Sequence, residues 1–230
     1  MAEGVRLKQP PGLGGLMDAH PRIASGATAG VMKRLNAQFS VSDAKIQRAR
    51  KTCPGGADSD WAHTVYSAMR GPAYLAFTIN DEYTCGKRAE VSRRAASAYD
   101  LATGEAVLFE QVLPGLGLAR KSLAGPSGES FHVYESAKLA ELYVAFALDG
   151  WKPEPGEPDC ASILPQTALQ FSLWPDAEHG GIGVVDSTLP QMTSVCTRQL
   201  FLDAGQMAAF GAPANFLDAI STARRGWKRE

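Results

Sequence analysis

The sequence predicts a domain of mixed helices and strands that is held together by two disulfides. Apolar residues recur at helical spacing in some segments and alternate in others, so both kinds of element are expected. The four cysteines, Cys53, Cys85, Cys160 and Cys196, form no Cys-x-x-Cys pair of the kind used by redox and zinc sites. Two disulfides are therefore the predicted use of the thiols, and three connectivities are open to them. Disulfides require an oxidising compartment.

Size and charge limit the class of protein. The chain has 230 residues, of which 45% are hydrophobic, so it can bury one sizeable core or two small ones. Its 23 Lys and Arg nearly balance its 24 Asp and Glu, so no nucleic-acid partner is expected.

The expected localisation is periplasmic or secreted, because of the predicted disulfides. No stretch approaches the roughly 18 apolar residues of a membrane span, so none is predicted. Residues 1–16 lack the layout of a signal peptide. Export would then mean that a signal preceding Met1 has been removed. The alternative is a cytosolic protein with four free thiols.

The N-terminal part divides into a leader and a helical segment. Residues 1–25 are rich in Gly and Pro and are predicted to be a flexible leader outside the core, with one α+β domain over 26–230. One long helix or two short ones are expected between Thr28 and Cys53, before the Pro54-Gly55-Gly56 breaker.

Strands and turns are predicted in the next hundred residues. Four strands are predicted, at 64–70, 73–80, 91–99 and 107–113, and the second shows the alternation of apolar and polar residues typical of a strand. Gly71-Pro72 and residues 100–105 have the composition of turns. Residues 115–130 show little apolar periodicity and are interpreted as a loop with short helical pieces.

The C-terminal half begins with a helix at 135–148, where apolar residues repeat at helical spacing and Gly150 follows as a stop. The Pro-rich residues 151–158 are predicted to form an extended surface connection. Further predicted elements are strands at 168–174, 183–186 and 195–202 and helices at 204–210 and 213–224.

Neither metal binding nor catalysis has a motif in this chain. The four histidines, His20, His63, His132 and His179, form no H-x-x-x-H or H-x-H pair, so no metal, cofactor or catalytic residue is predicted. Asp176, Glu178 and His179 could bind one ion on a loop, but a polar turn explains this cluster equally well.

The segment His179-Gly180-Gly181 is similar to the oxyanion loop of some hydrolases. No Gly-x-Ser-x-Gly nucleophile elbow accompanies it, however, so a hairpin turn is the favoured interpretation.

Aromatic side chains provide the candidate binding surface. Such rings stack on sugars and contact protein partners, although most serve as core packing. The residues predicted to contribute to a binding surface are Trp151, Tyr83, Trp174 and His179.

Two groups of short motifs resemble a known family. In the first half these are Tyr83-Thr84-Cys85-Gly86, Tyr99-Asp100-Leu101-Ala102-Thr103-Gly104-Glu105 and Phe109 to Leu113-Pro114. In the second half they are Phe171 to Asp176, Leu189-Pro190, Val195-Cys196 and Phe210-Gly211. Over about residues 28–220 the chain resembles the exported bacterial domain of unknown function shared by the anti-sigma factor RsiV and the peptidoglycan deacetylase PdaC, and uncharacterised periplasmic relatives.

The resemblance implies an α+β fold in which an antiparallel sheet is packed by helices. It also implies export and the pairing of Cys53 with Cys85 and of Cys160 with Cys196. It implies no catalytic residue, since the shared domain lies outside the catalytic domain of the deacetylase. Where the family has Gly-Ala-His-Pro this chain has Lys87-Arg88-Ala89-Glu90, so any role of that His does not carry over.

The function expected is non-enzymatic binding of an envelope protein or a peptidoglycan-related cell-wall component. RsiV-like members of the family bind lysozyme, which makes protein binding one form of this expectation. One alternative is an envelope hydrolase of esters or glycans, for which His179 or His63 should lie in a cleft within about 3.2 Å of a Ser, Asp or Glu. Another is a structural module, which predicts a large exposed apolar patch and no concave site. The sequence predicts no oligomeric state.

Overall fold

A computed structural model of the chain describes residues 4–53, 60–85, 91–125, 128 and 130–227. The described residues form eleven strands: β1 Arg6–Lys8, β2 Leu16–Met17, β3 Arg22–Ser25, β4 Asp60–Arg70, β5 Tyr74–Thr84, β6 Val91–Asp100, β7 Ala119–Ala124, β8 Ser130–Glu135, β9 Phe171–Asp176, β10 Gly181–Asp186 and β11 Leu200–Leu202. Their α-helices are α1 Ala29–Thr52, α2 Phe109–Val112, α3 Ala137–Leu148, α4 Cys160–Ile163, α5 Ala204–Ala209 and α6 Ala214–Gly226. Short 3-10 helices cover Pro114–Leu116, Leu164–Gln166 and Gln191–Cys196.

The strands form two main sheets. One has four strands in the order β2-β4-β5-β6, and the other has five in the order β11-β10-β9-β8-β7. Pairing in both is antiparallel except between β2 and β4, while β1 and β3 form a separate antiparallel pair. The α+β class with antiparallel sheets and helices is therefore confirmed.

Helix α1 is a single long helix, which resolves the alternative left open by the sequence. Thr28 begins it, since its side chain accepts a hydrogen bond from the N–H of Val31 at 3.3 Å. Leu35 and Phe39 are buried against the four-stranded sheet, where the Phe39 ring meets Phe77 edge to face at 5.5 Å. The apolar residues of α1, which recur at helical spacing, thus cover one face of that sheet.

The other face of the four-stranded sheet packs on the second sheet through small side chains. Ala68, Ala76, Ala96 and Ala98 share a buried cluster with large side chains of β9. A bulge between Ser67 and Met69 interrupts the pairing of β4, and there Ala68 accepts a hydrogen bond from the N–H of Ala177 at 3.0 Å. The four-stranded sheet is consequently covered by α1 on one face and by the second sheet over part of the other.

The exclusion of residues 1–25 from the core is corrected by the structure. Val5, Met17 and Ile23 are buried within apolar clusters. Asn36 of α1 accepts from the N–H of Ile23 at 2.8 Å and donates to its C=O at 3.0 Å. These short strands show no hydrophobic period because each buries at most one residue.

Several predicted elements differ from those observed. The strand expected at 107–113 is wrong, because Phe109–Val112 is helical. The loop expected at 115–130 contains strand β7. β7 lies at the edge of its sheet and most of its side chains are exposed, so its sequence lacks the alternation of apolar and polar residues typical of a strand. The predicted strand at 195–202 shortens to Leu200–Leu202.

Other predictions are confirmed. Helix α3 occupies the predicted segment and begins at Ser136, whose side chain accepts from the N–H of Leu139 at 3.1 Å. Residues 151–158 form no helix or strand. The Pro54-Gly55-Gly56 breaker and the departure from the family pattern at 87–90 lie outside the described residues.

The cysteines form the two bridges that the family resemblance implies. Cys53, just after α1, is bonded to Cys85, just after β5. Cys160 in α4 is bonded to Cys196, which lies in a 3-10 helix and not in the strand expected for it. Two such bridges are typical of proteins exported to an oxidising compartment. Within the described residues, no helix has the length and apolar content that crossing a bilayer requires.

Loss of the second bridge should destabilise the protein. The Cys160–Cys196 bridge closes a loop with a sequence separation of 36. By loop-closure entropy, Cys196→Ser should lower the free energy of unfolding by roughly 3 to 4 kcal/mol, measured by urea denaturation. The double variant Cys160→Ser/Cys196→Ser should lose a similar amount, which separates loss of the cross-link from exposure of a free thiol. Unfolding curves equal to that of the native protein would contradict the expectation.

Two buried carboxylates contact histidines, one between the N-terminal segment and α1 and the other within the four-stranded sheet. Asp43 of α1 contacts the Nδ1 of His20 at 2.7 Å and accepts from Arg22 at 2.6 Å, and it is only 5% exposed. In the sheet, His63 and Asp81 lie on facing positions of β4 and β5, with Nδ1 and Oδ1 at 2.6 Å. Burial by itself raises the pKa of Asp43, but its hydrogen bonds from His20 and Arg22 outweigh burial and hold the pKa below 3.8.

The lowered pKa of Asp43 should appear in the acid stability of the protein. The folded state then binds this proton more weakly than the unfolded chain, so the stabilisation is complete above about pH 5 and is lost as the pH falls through the lowered pKa. Asp43→Asn should cost roughly 3 to 5 kcal/mol at pH 7, measured by urea denaturation, and should flatten the decline between about pH 5 and 3. Asp218→Asn, at an exposed position of α6, should leave that decline unchanged.

Candidate functional site

A groove lies where β4, the β9–β10 turn and β11 meet. We call it the aromatic groove and define it by Tyr66, Arg70, His179, Phe201 and Trp227, which line it. Its volume is about 740 Å³, within the usual range of roughly 300 to 1,000 Å³ for small-molecule sites.

Tyr66 provides an open ring face in the groove. It lies on β4 between Val65 and Ser67, and the side-chain alternation of a strand turns it away from α1. It is 57% exposed, and its cross-strand partner is the small residue Thr78. An exposed aromatic ring beside a small neighbour is accessible for stacking.

His179 and Phe201 form a second platform in the groove. Their rings are stacked with centroids 3.6 Å apart and planes inclined by 17°. The Nδ1 of His179 lies 2.9 Å from Oδ1 of Asp176, which also accepts from the backbone N–H of His179 at 2.8 Å. Oδ2 of Asp176 accepts from the indole N–H of Trp174 at 3.2 Å. Asp176 therefore fixes the histidine ring and leaves its Nε2 available.

Trp174 lies beneath the groove surface because of a glycine on the next strand. Trp174 faces Gly183 across the β9–β10 pair, and a Cβ at that glycine would lie 2.2 Å from the indole ring. The absence of a side chain lets the indole lie across β10. Trp174 is 1% exposed, so it supports Asp176 and offers no open face to a ligand.

The far end of the groove combines a cation and an aromatic ring. The guanidinium of Arg70 lies 5.1 Å from the ring centroid of Trp227. The indole N–H of Trp227 and the hydroxyl of Ser67 are buried without a hydrogen-bond partner among the described residues. Such groups gain stability from a bound hydroxyl or water.

The predicted binding residues are only partly brought together. Trp174 and His179 line the aromatic groove, whereas Tyr83 and Trp151 do not. Tyr83 stacks on Trp61 at 4.7 Å, and Trp151 is half-buried against the main apolar cluster. Phe201 was missed by sequence reasoning, because nothing in its short strand distinguishes it from a core residue.

The cluster of Asp176, Glu178 and His179 lies at the β9–β10 turn, as expected. Asp176 closes this hairpin, because its side chain accepts from the N–H of His179 and its C=O accepts from the N–H of Gly180. Over the described part of the chain, no three His, Cys, Asp or Glu residues are arranged to hold a metal ion.

Comparison of the sequence with known protein families gives no matching family, and comparison with curated proteins gives no match. The resemblance to the domain shared by RsiV and PdaC therefore stays a prediction.

Proposed function

We propose that this protein is an exported, non-enzymatic binding protein of the bacterial envelope whose ligand is a cell-wall glycan held in the aromatic groove. The observation that carries the proposal is the exposed ring of Tyr66 in the same groove as the His179–Phe201 stack. The disulfides support export, and the family resemblance supports a bacterial envelope, periplasmic or secreted.

The chemistry of the groove suits a sugar. Pyranose rings have apolar C–H faces that stack on aromatic rings, and their hydroxyls both donate and accept hydrogen bonds. The groove combines ring faces with the exposed amides of Gln9 and Gln199 and the carboxylate of Glu178. A few polar groups around aromatic walls are what orients a small ligand.

A glycan fits the groove better than a flat protein partner does. The exposed large apolar residues among those described are scattered over several elements: Leu16, Val41, Tyr66, Met192 and Val195. The structural-module alternative expected a large apolar patch and no concave site, so the groove favours ligand binding.

Removal of the Tyr66 ring should weaken glycan binding. In titration calorimetry with soluble peptidoglycan fragments and chitotetraose, we expect the native protein to bind and Tyr66→Ala to bind about tenfold more weakly, because a stacking face is lost. Met192→Ala is the matched control, since Met192 is 85% exposed and lies outside the groove. If neither glycan binds, or if Tyr66→Ala binds as well as the native protein, the groove is not a glycan site.

A second candidate function, ester hydrolysis, is favoured by one observation. His179 lies in a groove with Nδ1 2.9 Å from a carboxylate, the arrangement expected for the hydrolase alternative. With Asp176 holding Nδ1, the free Nε2 can accept a proton from water as the water attacks an ester carbonyl, and return it to the leaving alcohol. His63, the other histidine considered, is 1% exposed and lines no described cavity.

This second candidate has a separate readout. If it holds, the native protein releases acetate from O-acetylated peptidoglycan fragments, and His179→Gln lowers the rate by about 100-fold or more, while fragment affinity changes little. Met192→Ala again serves as the control. Absence of acetate release by the native protein would eliminate hydrolysis and leave the binding proposal standing.

A further inference from the structure

A second cavity, of about 230 Å³, lies between α1, β6 and β8. We call it the inner cavity and define it by Phe39, Lys45, Ala98, His132 and Leu173, which line it. It shares no lining residue with the aromatic groove. The space exists because the sheet margin presents small side chains there, namely Ala96, Ala98 and Ala106.

One wall of the inner cavity is apolar and belongs to the core, while Gln38, Ser42, Ser97 and Ser130 line the cavity elsewhere. Phe39, Ile79, Phe109 and Leu173 form the apolar wall, and each is at most 3% exposed. An apolar cavity of roughly 150 Å³ in another protein takes up benzene. The inner cavity therefore has room for a slightly larger apolar body.

The ionisable side chains that line the inner cavity are basic, apart from two tyrosines. They are His20, Lys45 and His132, and no Asp or Glu is among the lining residues described. Asp43, which contacts His20, also pairs with Arg22 at 2.6 Å. Glu110, which lies near His132, pairs with Arg120 at 3.4 Å. Asp43 and Glu110 are thus each paired with an arginine.

Lys45 supplies a positive charge to the lining. The Nζ of this half-buried lysine donates to the carbonyl of Gly128 at 3.4 Å, and no carboxylate of the described residues pairs with it. Burial, reinforced by the positive charge of Arg120, lowers the pKa of His132. Neutral His132, which lines the same cavity as Lys45, then offers a hydrogen-bond donor.

We propose that the inner cavity binds a small carboxylic acid with an apolar body, of the short fatty-acid class. Its carboxylate lies against Lys45 and His132, and its chain packs on Phe39, Phe109 and Leu173. The charge of Lys45 disfavours the corresponding cation, and the apolar wall favours an acid with an apolar chain over a small hydrophilic acid. This site is independent of the proposed glycan function.

The proposal is tested with three probes that share one tail: octanoate, octanol and octylammonium. Titration calorimetry and the melting temperature of the full chain should show binding and stabilisation by octanoate, weaker effects of octanol and none of octylammonium. Equal binding of octanoate and octylammonium, or no binding of octanoate, would overturn the proposal.

Two variants distinguish the contribution of the ligand's carboxylate to binding from that of its apolar chain. Lys45→Gln should weaken octanoate binding about tenfold and leave octanol unchanged, because a charge-assisted contact is lost. Lys33→Gln is the matched control, since Lys33 is exposed on α1 and lies outside the cavity. Ala98→Leu should fill the cavity and abolish binding of both, with its circular dichroism and melting temperature confirming the fold. Unchanged octanoate affinity in Lys45→Gln, or in a folded Ala98→Leu, would refute the site.

Discussion

The close contact of the two sheets across alanine side chains is the constraint on which the rest of the structure depends. Sheets that pack face to face are usually about 10 Å apart, with large side chains between them. Here the four-stranded sheet presents the small side chains Ala68, Ala76, Ala96 and Ala98 to the large side chains of β9. The space between the sheets is therefore filled mainly from the five-stranded sheet. The hydrogen bond from the N–H of Ala177 to the C=O of Ala68 belongs to the same contact.

Both candidate sites lie at the margins of this contact. On the β4 side, the bond to Ala177 holds the turn that carries Asp176 and His179, so the aromatic groove opens beside Tyr66. On the β6 side, which is an edge of the four-stranded sheet, Ala96 and Ala98 leave space that Phe39 of α1 and Leu173 of β9 also line, and the inner cavity results. One packing arrangement therefore accounts for two openings with different chemistry.

The elements that sequence reasoning predicted correctly are those specified by local patterns. Helix α3 and strand β5 have clear periods, and the turn after β6 is fixed by Asp100, whose side chain accepts from the N–H of Ala102 at 2.7 Å. Strand β2 could not be found in this way, because it is two residues long and is defined by parallel pairing with β4. The contact between His20 and Asp43 could not be predicted either, because no sequence pattern relates the N-terminal segment to helix α1.

The candidate sites depend even more on distant contacts. The aromatic groove unites Gln9, Tyr66, His179, Phe201 and Trp227, and no spacing in the sequence relates these positions. The cysteines, which do stand out in the sequence, line neither the groove nor the inner cavity. Their bridges fix the end of α1 to β5 and α4 to a 3-10 helix, so they maintain the packing from which both openings arise. The cysteines, the feature most visible in the sequence, thus affect the candidate sites by stabilising the contact between the sheets. The side chains that line those sites are brought together only by the fold.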